Sequence, residues 1–151
     1  MERETAEISN GEGIGVSDPI SLTLPSSPGY VLLARLVVAQ VGQLAGFGPE
    51  DVYDLKLAVT EAATNVIRHA AVESYEIEYR VLPQAVEITV IDTGGGFNVA
   101  DLTRVPDGQG GFGLAVIRDL VDELVLDSTR GGGTRLKMIR RASASVKGSK
   151  A

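Results

Sequence analysis

Glu61, Asn65 and His69 recur at intervals of four residues. On a helix that spacing stacks side chains along one flank, so a carboxylate and an amide stand one turn apart. Asn is a poor helix former because its side chain competes for the backbone. Its presence in a helical stretch asks for a reason, either a solvated flank or a ligand. Farther along, Asp92 ends an alternating apolar run and is followed by Gly94, Gly95 and Gly96, while Gly108, Gly110, Gly111 and Gly113 precede another apolar stretch. Glycines permit positive φ and let a ligand approach the backbone. A helix that begins in glycines offers free N–H groups and a positive dipole end, which suits phosphate. Asp92 adds a carboxylate able to accept a hydrogen bond from an exocyclic amine. Either glycine cluster alone reads as an ordinary loop; together with Glu61, Asn65 and Asp92 the set points to chemistry.

One local match misleads. Gly108-Gln109-Gly110-Gly111-Phe112-Gly113 fits GxGxxG, and Asp127 lies at about the distance of a ribose-binding acid. A dinucleotide fingerprint must follow a strand directly and sit in a βαβ unit. Here the non-periodic VADLTRVPD precedes it, and the last strand-like residue is Ile91. The dinucleotide reading is therefore rejected.

The elements that must position these residues follow from periodicity. Residues 51–70 form one amphipathic helix: Leu55, Ala58, Val59, Ala62, Ala63, Val66 and Ile67 make an apolar stripe. Pro49, Glu50 and Asp51 open it, since Pro suits a first turn and acids suit the positive dipole end. Before it, residues 20–24 alternate as a strand, Pro25 to Pro28 break the pattern, and residues 29–45 are helical. Ser27 is the expected cap of that helix, Arg35 its only charge, and Val31, Leu32, Leu36, Val37, Val41 and Leu44 its inward face. Residues 74–82 and 85–91 alternate cleanly about Pro83 and Gln84, a hairpin with one wet face. Residues 98–109 are a long loop, 114–121 a helix, and 124–128 and 134–139 two more strands. The order β-α-α-β-β-loop-α-β-β implies an α+β fold: a two-layer sandwich, its mixed, mostly antiparallel sheet carrying helices on one face.

The chain has 151 residues, enough for one domain with a real core. Residues 1–17 read as a mobile tail, 18–141 as the domain, and 142–151 as a disordered tail. The net charge of −6 argues against direct nucleic-acid binding. With no cysteine and one histidine, thiolate and His-cluster metal sites are excluded. No apolar run approaches the roughly 18 residues of a membrane span, and the acidic N-terminus is no signal peptide. A cytoplasmic protein is expected.

At these residues the chain resembles the GHKL ATPase superfamily of the Bergerat fold, and within it the bacterial anti-sigma factor serine kinases of the RsbW and SpoIIAB type. Glu61-x-x-x-Asn65, followed by Arg68-His69-Ala70, resembles the N box. Asp92-Thr93-Gly94-Gly95-Gly96-Phe97 is similar to the D-x-G-x-G-F box, Gly110-Gly111-Phe112-Gly113-Leu114 to the second glycine box, and Gly133-Thr134 to the final G-T pair. The resemblance covers roughly residues 20–140, with the boxes in order. It implies ATP with Mg²⁺ held by Asn65, and Glu61 as the general base toward a substrate hydroxyl. It implies Asp92 on the adenine amino group with Thr134 beside the ring, and Gly94 and Gly96 under the base. Gly110, Gly111, Gly113 and Leu114 would belong to the phosphate cradle and residues 98–109 to a lid, in which Arg104 is the one basic residue. His69 is expected to be a structural helix-end residue; Arg35 either faces a partner or is solvated. The implied activity is phosphorylation of a serine in an anti-sigma-factor antagonist, a STAS-domain protein, combined with sequestration of a sigma factor. A homodimer is expected, since related stand-alone domains pair and the first strand and helix carry surplus apolar surface. The alternatives are a non-catalytic ATP-binding switch and a histidine-kinase-like ATPase domain.

Overall fold

In the computed structural model, which describes residues 18–94, 114–129 and 132–143, the alternation read along the chain becomes a sheet with one packed side. The strands are β1 (Ile20–Pro25), β2 (Ser74–Leu82), β3 (Ala85–Asp92), β4 (Glu123–Thr129) and β5 (Gly133–Arg141). Their order is β1-β2-β3-β5-β4. All four pairings are antiparallel, so the sheet has no parallel pair among the described residues. That also removes the βαβ unit a dinucleotide fingerprint needs.

Register sorts the side chains. Tyr75, Ile77, Tyr79 and Val81 of β2 are buried, as are Val86, Ile88 and Val90 of β3 and Leu136 and Met138 of β5. Ile77 lies opposite Val90 and Tyr79 opposite Ile88, while Leu136 lies opposite both Val90 and Leu126. The other face carries Glu78, Arg80, Glu87, Thr89, Asp127, Arg135 and Lys137 along an open groove. Pro83 and Gln84 join β2 to β3 with Gln84 at φ 55°.

Helices cover the packed face: α1 (Val31–Leu44), preceded by a 3₁₀ turn at Pro28–Tyr30, α2 (Pro49–His69) and α3 (Leu114–Leu120). Pro49 opens α2, Glu50 and Asp51 fill its first turn, and Arg68 and His69 its last, as the helix dipole favours. Leu55, Ala58, Val59, Ala62, Ala63 and Val66 are buried on the expected stripe. Truncating Leu55 to Ala costs about 2–5 kcal/mol by the usual core arithmetic. Ser27 precedes Pro28 at the start of the 3₁₀ turn and makes no side-chain cap bond.

The inward face of α1 is not the expected one. Ala34, Val38, Val41 and Gly42 are buried, whereas Leu32, Leu36 and Leu44 are 59%, 55% and 65% exposed. The reason is close helix packing. A Cβ on Gly42 would stand 3.1 Å from Val52 Cγ2 and 3.3 Å from Leu55 Cδ1, so small residues must face α2 and the leucines turn outward. The Tyr79 hydroxyl donates to the Ala34 carbonyl at 3.1 Å and pins α1 to the sheet. Burial, then the neighbouring Tyr75, pushes that phenol well above its ordinary value.

Order continues past residue 141. The Ala142 N–H donates to the Gln84 carbonyl at 2.9 Å, and Ser143 is hydrogen-bonded to Asp51. Residues 1–17, 95–113, 130–131 and 144–151 lie outside the described residues, and with them most of both expected tails and the loop at 98–109.

Candidate functional site

Between α2, α3 and the sheet lies a narrow, mainly apolar cleft. Ala62, Asn65 and Val66 of α2 and Leu114 of α3 line it from the helix layer. Val90 and Asp92 of β3, Thr134 and Leu136 of β5 and Leu126 of β4 line it from the sheet. Four of the residues singled out from sequence, Asn65, Asp92, Leu114 and Thr134, therefore meet at one cavity although they span 70 positions of chain.

Register explains two of them. Asp92 is the Cα partner of Thr134, and Thr134 of Ser128. The Thr134 and Ser128 hydroxyl oxygens are 3.2 Å apart. Two glycines make the arrangement possible. Gly133 sits at φ +89°, and a Cβ there would stand 2.2 Å from the Asp92 carbonyl oxygen. Gly94 donates its N–H to Asp92 Oδ1 at 2.9 Å, and a Cβ on it would meet the Ala70 carbonyl at 2.6 Å and Val72 Cγ1 at 2.8 Å. Both positions are thus closed to any side chain.

Asp92 is buried, and burial raises its pKa while the Gly94 N–H acts against the rise. A carboxylate has about four acceptor sites, so one N–H leaves capacity for a ligand. Asn65 is buried in α2 and lines the same cleft from the helix layer. Its amide gives one oxygen acceptor and two N–H donors. The remaining walls, Ala62, Val66, Val90, Leu114, Leu126 and Leu136, are apolar. An apolar slot with polar groups at its sides suits a flat, partly polar ring system such as a nucleobase.

Glu61 stands one turn before Asn65 on α2, is half-buried, and is not among the residues lining the cleft. His69, in the last turn of α2, is half-buried and also outside the lining; burial, then the adjacent Arg68, holds its pKa below 6.5. Arg35 is half-buried on α1 and does not line the cleft. Gly96, Gly110, Gly111, Gly113 and Arg104 lie outside the described residues.

Reading by residue type missed the apolar wall from Leu126 and Leu136, which it placed only within two strands. It also missed a polar cluster at the start of α2. Asp51, read only as a helix-opening acid, accepts from Arg140 Nη2 at 2.5 Å, from Ser143 N at 2.8 Å and from Ser143 Oγ at 2.7 Å. Arg140 Nη1 donates to the Leu120 carbonyl at 2.7 Å and lies 3.1 Å from Asp54 Oδ2. Arg140 and Asp51 are 89 positions apart, so no local pattern links them.

No group of three or more acidic, His or Cys side chains suited to a metal occurs among the described residues. A single amide oxygen at Asn65 fits a cation that takes most of its shell from water and phosphate, as Mg²⁺ does. No helix among the described residues is long and apolar enough to cross a membrane.

Comparison with known proteins agrees with this geometry. Residues 24–140 match the histidine kinase-like ATPase domain family. The serine-protein kinase RsbW of Listeria innocua serovar 6a is 36% identical over 128 residues, covering 72% of this chain and 79% of that protein. RsbW of Oceanobacillus iheyensis is 33% identical over 129 residues, covering 76% of this chain and 82% of that protein. Among solved structures, the RsbU and RsbW domains of a Mycobacterium tuberculosis protein superpose with a TM-score of 0.62 at 21% identity. That match covers 83% of this chain and 32% of the larger one, and it bears on the fold alone.

Proposed function

The chain belongs to the RsbW serine-protein kinases of the histidine kinase-like ATPase domain family, and from that premise we propose that it is an anti-sigma factor acting by ATP-dependent phosphoryl transfer. The observation that carries the reading is the convergence of Asn65, Asp92, Leu114 and Thr134, from four separate elements, on one cleft. Asp92 accepts from the adenine amino group, and Thr134 supports the ring beside it. The apolar walls exclude water from the base, and Gly94 gives it room. Asn65 would hold Mg²⁺ through its side-chain oxygen, and the ion would supply charge neutralisation on the phosphates. The resemblance to the family's glycine boxes assigns the remaining nucleotide contacts to Gly96, Gly110, Gly111 and Gly113.

Glu61 takes the proton from the hydroxyl of a serine on the antagonist, a STAS-domain protein. The serine oxygen bonds to the γ-phosphorus as the bond to the β–γ bridging oxygen breaks, and ADP leaves. Little covalent work falls to the protein, whose part is positioning and electrostatics. The added phosphate weakens the antagonist's hold, and the kinase is left to sequester a sigma factor in the cytoplasm. The working unit is residues 18–141, extended by Ala142 and Ser143.

Glu61→Gln keeps size and shape but cannot take a proton. Transfer to the antagonist serine falls about 10²- to 10⁴-fold, while ATP binding persists. Radiolabel transfer at the wild-type rate in this variant removes Glu61 from the role. A wild-type protein that binds ATP and a sigma factor yet labels no antagonist is a switch, not a kinase.

A homodimer is part of this reading. Leu32, Leu33, Leu36 and Leu44 of α1 and Ile20 of β1 are exposed, and β1 is an edge strand among the described residues. Such a surface is costly to leave in water. Light scattering at micromolar concentration gives a mass near twice 15.9 kDa; a value near 15.9 kDa with and without ATP contradicts the dimer.

A further inference from the structure

The roof of the cleft is made by two helices, and both are held at their far ends by one guanidinium. Arg140 projects from β5 on the helix-covered side of the sheet, in register with Val86. Its Nη2 binds Asp51 in the first turn of α2, and its Nη1 reaches both Asp54 of the same helix and the carbonyl of Leu120, the last residue of α3. The neighbouring backbone locks the same corner: Asp122 N–H donates to the Ile139 carbonyl at 2.8 Å, and Arg141 N–H to Asp122 Oδ2 at 2.7 Å. Helix α3 has seven residues, roughly 10 Å at 1.5 Å per residue, and its other end is Leu114 in the cleft wall. Asn65 lies roughly 21 Å along α2 from Asp51. Rigid helices this short transmit a shift at one end to the other.

The cluster does more than its stability requires. Arg140 Nε is buried with no hydrogen-bond partner, and a buried ion pair is generally no more stabilising than a well-packed apolar side chain of the same volume. What an apolar side chain cannot do is bind two acids and a helix-terminal carbonyl at once. A lysine cannot do it either, since its ammonium lacks the planar fork. We propose that Arg140 is a positioning residue for the nucleotide: it sets the separation of α2 and α3, and with it the width of the slot between Asn65 and Leu114. The inference rests on the nucleotide reading of that cleft.

The test is Mg-ATP affinity by calorimetry in Arg140→Lys, in Arg140→Met and in Asp54→Asn, under conditions where unfolding curves show each protein folded. Hydrogen exchange of residues 114–120 is followed in parallel. Arg140→Lys weakens Mg-ATP binding roughly 2- to 30-fold, the range for substitutions along a coupling network, and speeds exchange in α3. Arg140→Met does the same even where its unfolding midpoint equals the wild-type value, which a merely structural role does not explain. Asp54→Asn, which leaves the Asp51 pair in place, shows a smaller change in the same direction and serves if the Arg140 variants do not fold. Wild-type affinity in folded Arg140 variants, or in Asp54→Asn where those do not fold, overturns the positioning role and leaves the nucleotide reading intact. Absence of Mg-ATP binding by the unsubstituted protein overturns both, and is seen before any substitution is made.

Discussion

Asp51 and Asp92 are the same residue type, buried to 5% and 4% exposure, and the fold treats them in opposite ways. Burial raises the pKa of both. At Asp51 the hydrogen bonds from Ser143 and Arg140, and the Arg140 charge, overcome that rise and hold it below 3.8. At Asp92 the Gly94 N–H only opposes it, and the carboxyl stays above 3.8. A carboxylate whose acceptor sites are filled from within holds the fold together. One buried with spare capacity beside an open cleft is kept for something that arrives from outside.

Removing each group breaks the comparison from either side. Asp51→Ala leaves the Arg140 cation buried without its main partner. The expected cost is about 3–5 kcal/mol of stability, read as a lowered urea midpoint with an unchanged slope. A loss below about 1 kcal/mol in that titration would mean the pair behaves like a surface contact.

Asp92→Asn is expected to do the reverse. It removes a charge whose burial is poorly compensated, so unfolding stability at neutral pH is retained or raised. Nucleotide affinity falls, because a bond to a charged acceptor is worth about 1.5–3 kcal/mol, or roughly 10- to 150-fold in Kd. Equal stability loss in the two variants, or wild-type affinity in Asp92→Asn, erases the distinction.

The smallest effect is in the pH profile, and its sign differs between the two. Asp51 has a depressed folded pKa, so its contribution is present above the unfolded value of about 4 and is lost as pH falls through the folded pKa. Asp92 has a raised folded pKa, so its burial cost is present at neutral pH and is relieved as pH falls toward about 4. Wild type minus Asp51→Asn stability therefore declines below about pH 4, while wild type minus Asp92→Asn rises on the approach to it. Two difference curves of the same sign would contradict the assignment.

Much of this protein is local, and local features are legible in a sequence. β2 was readable because Tyr75, Ile77, Tyr79 and Val81 alternate with Glu76, Glu78 and Arg80, and a strand exposes that period directly. α2 was readable because its stripe is narrow and its ends carry Pro, acids and bases in dipole order. Asn65 and Asp92 stood out by residue type and position, and Leu114 and Thr134 through the resemblance of their short segments to the family's glycine and G-T boxes. α1 was different. With leucine or valine at most positions, its pattern does not choose a face, and the choice fell to Gly42 and Ala34, which let α1 approach α2 closely.

What the sequence determined by itself, then, was which stretches become helix or strand and which residues are candidates for the chemistry, because those depend on neighbours a few positions away. Only the tertiary structure decided the strand order, the outward turn of Leu32, Leu36 and Leu44, and the meeting of Arg140 with Asp51, Asp54 and Leu120. The physical reason is that each of these is settled by packing and hydrogen bonding between residues far apart in the chain, where one guanidinium binds Asp51 from 89 positions away and no local period records the pairing.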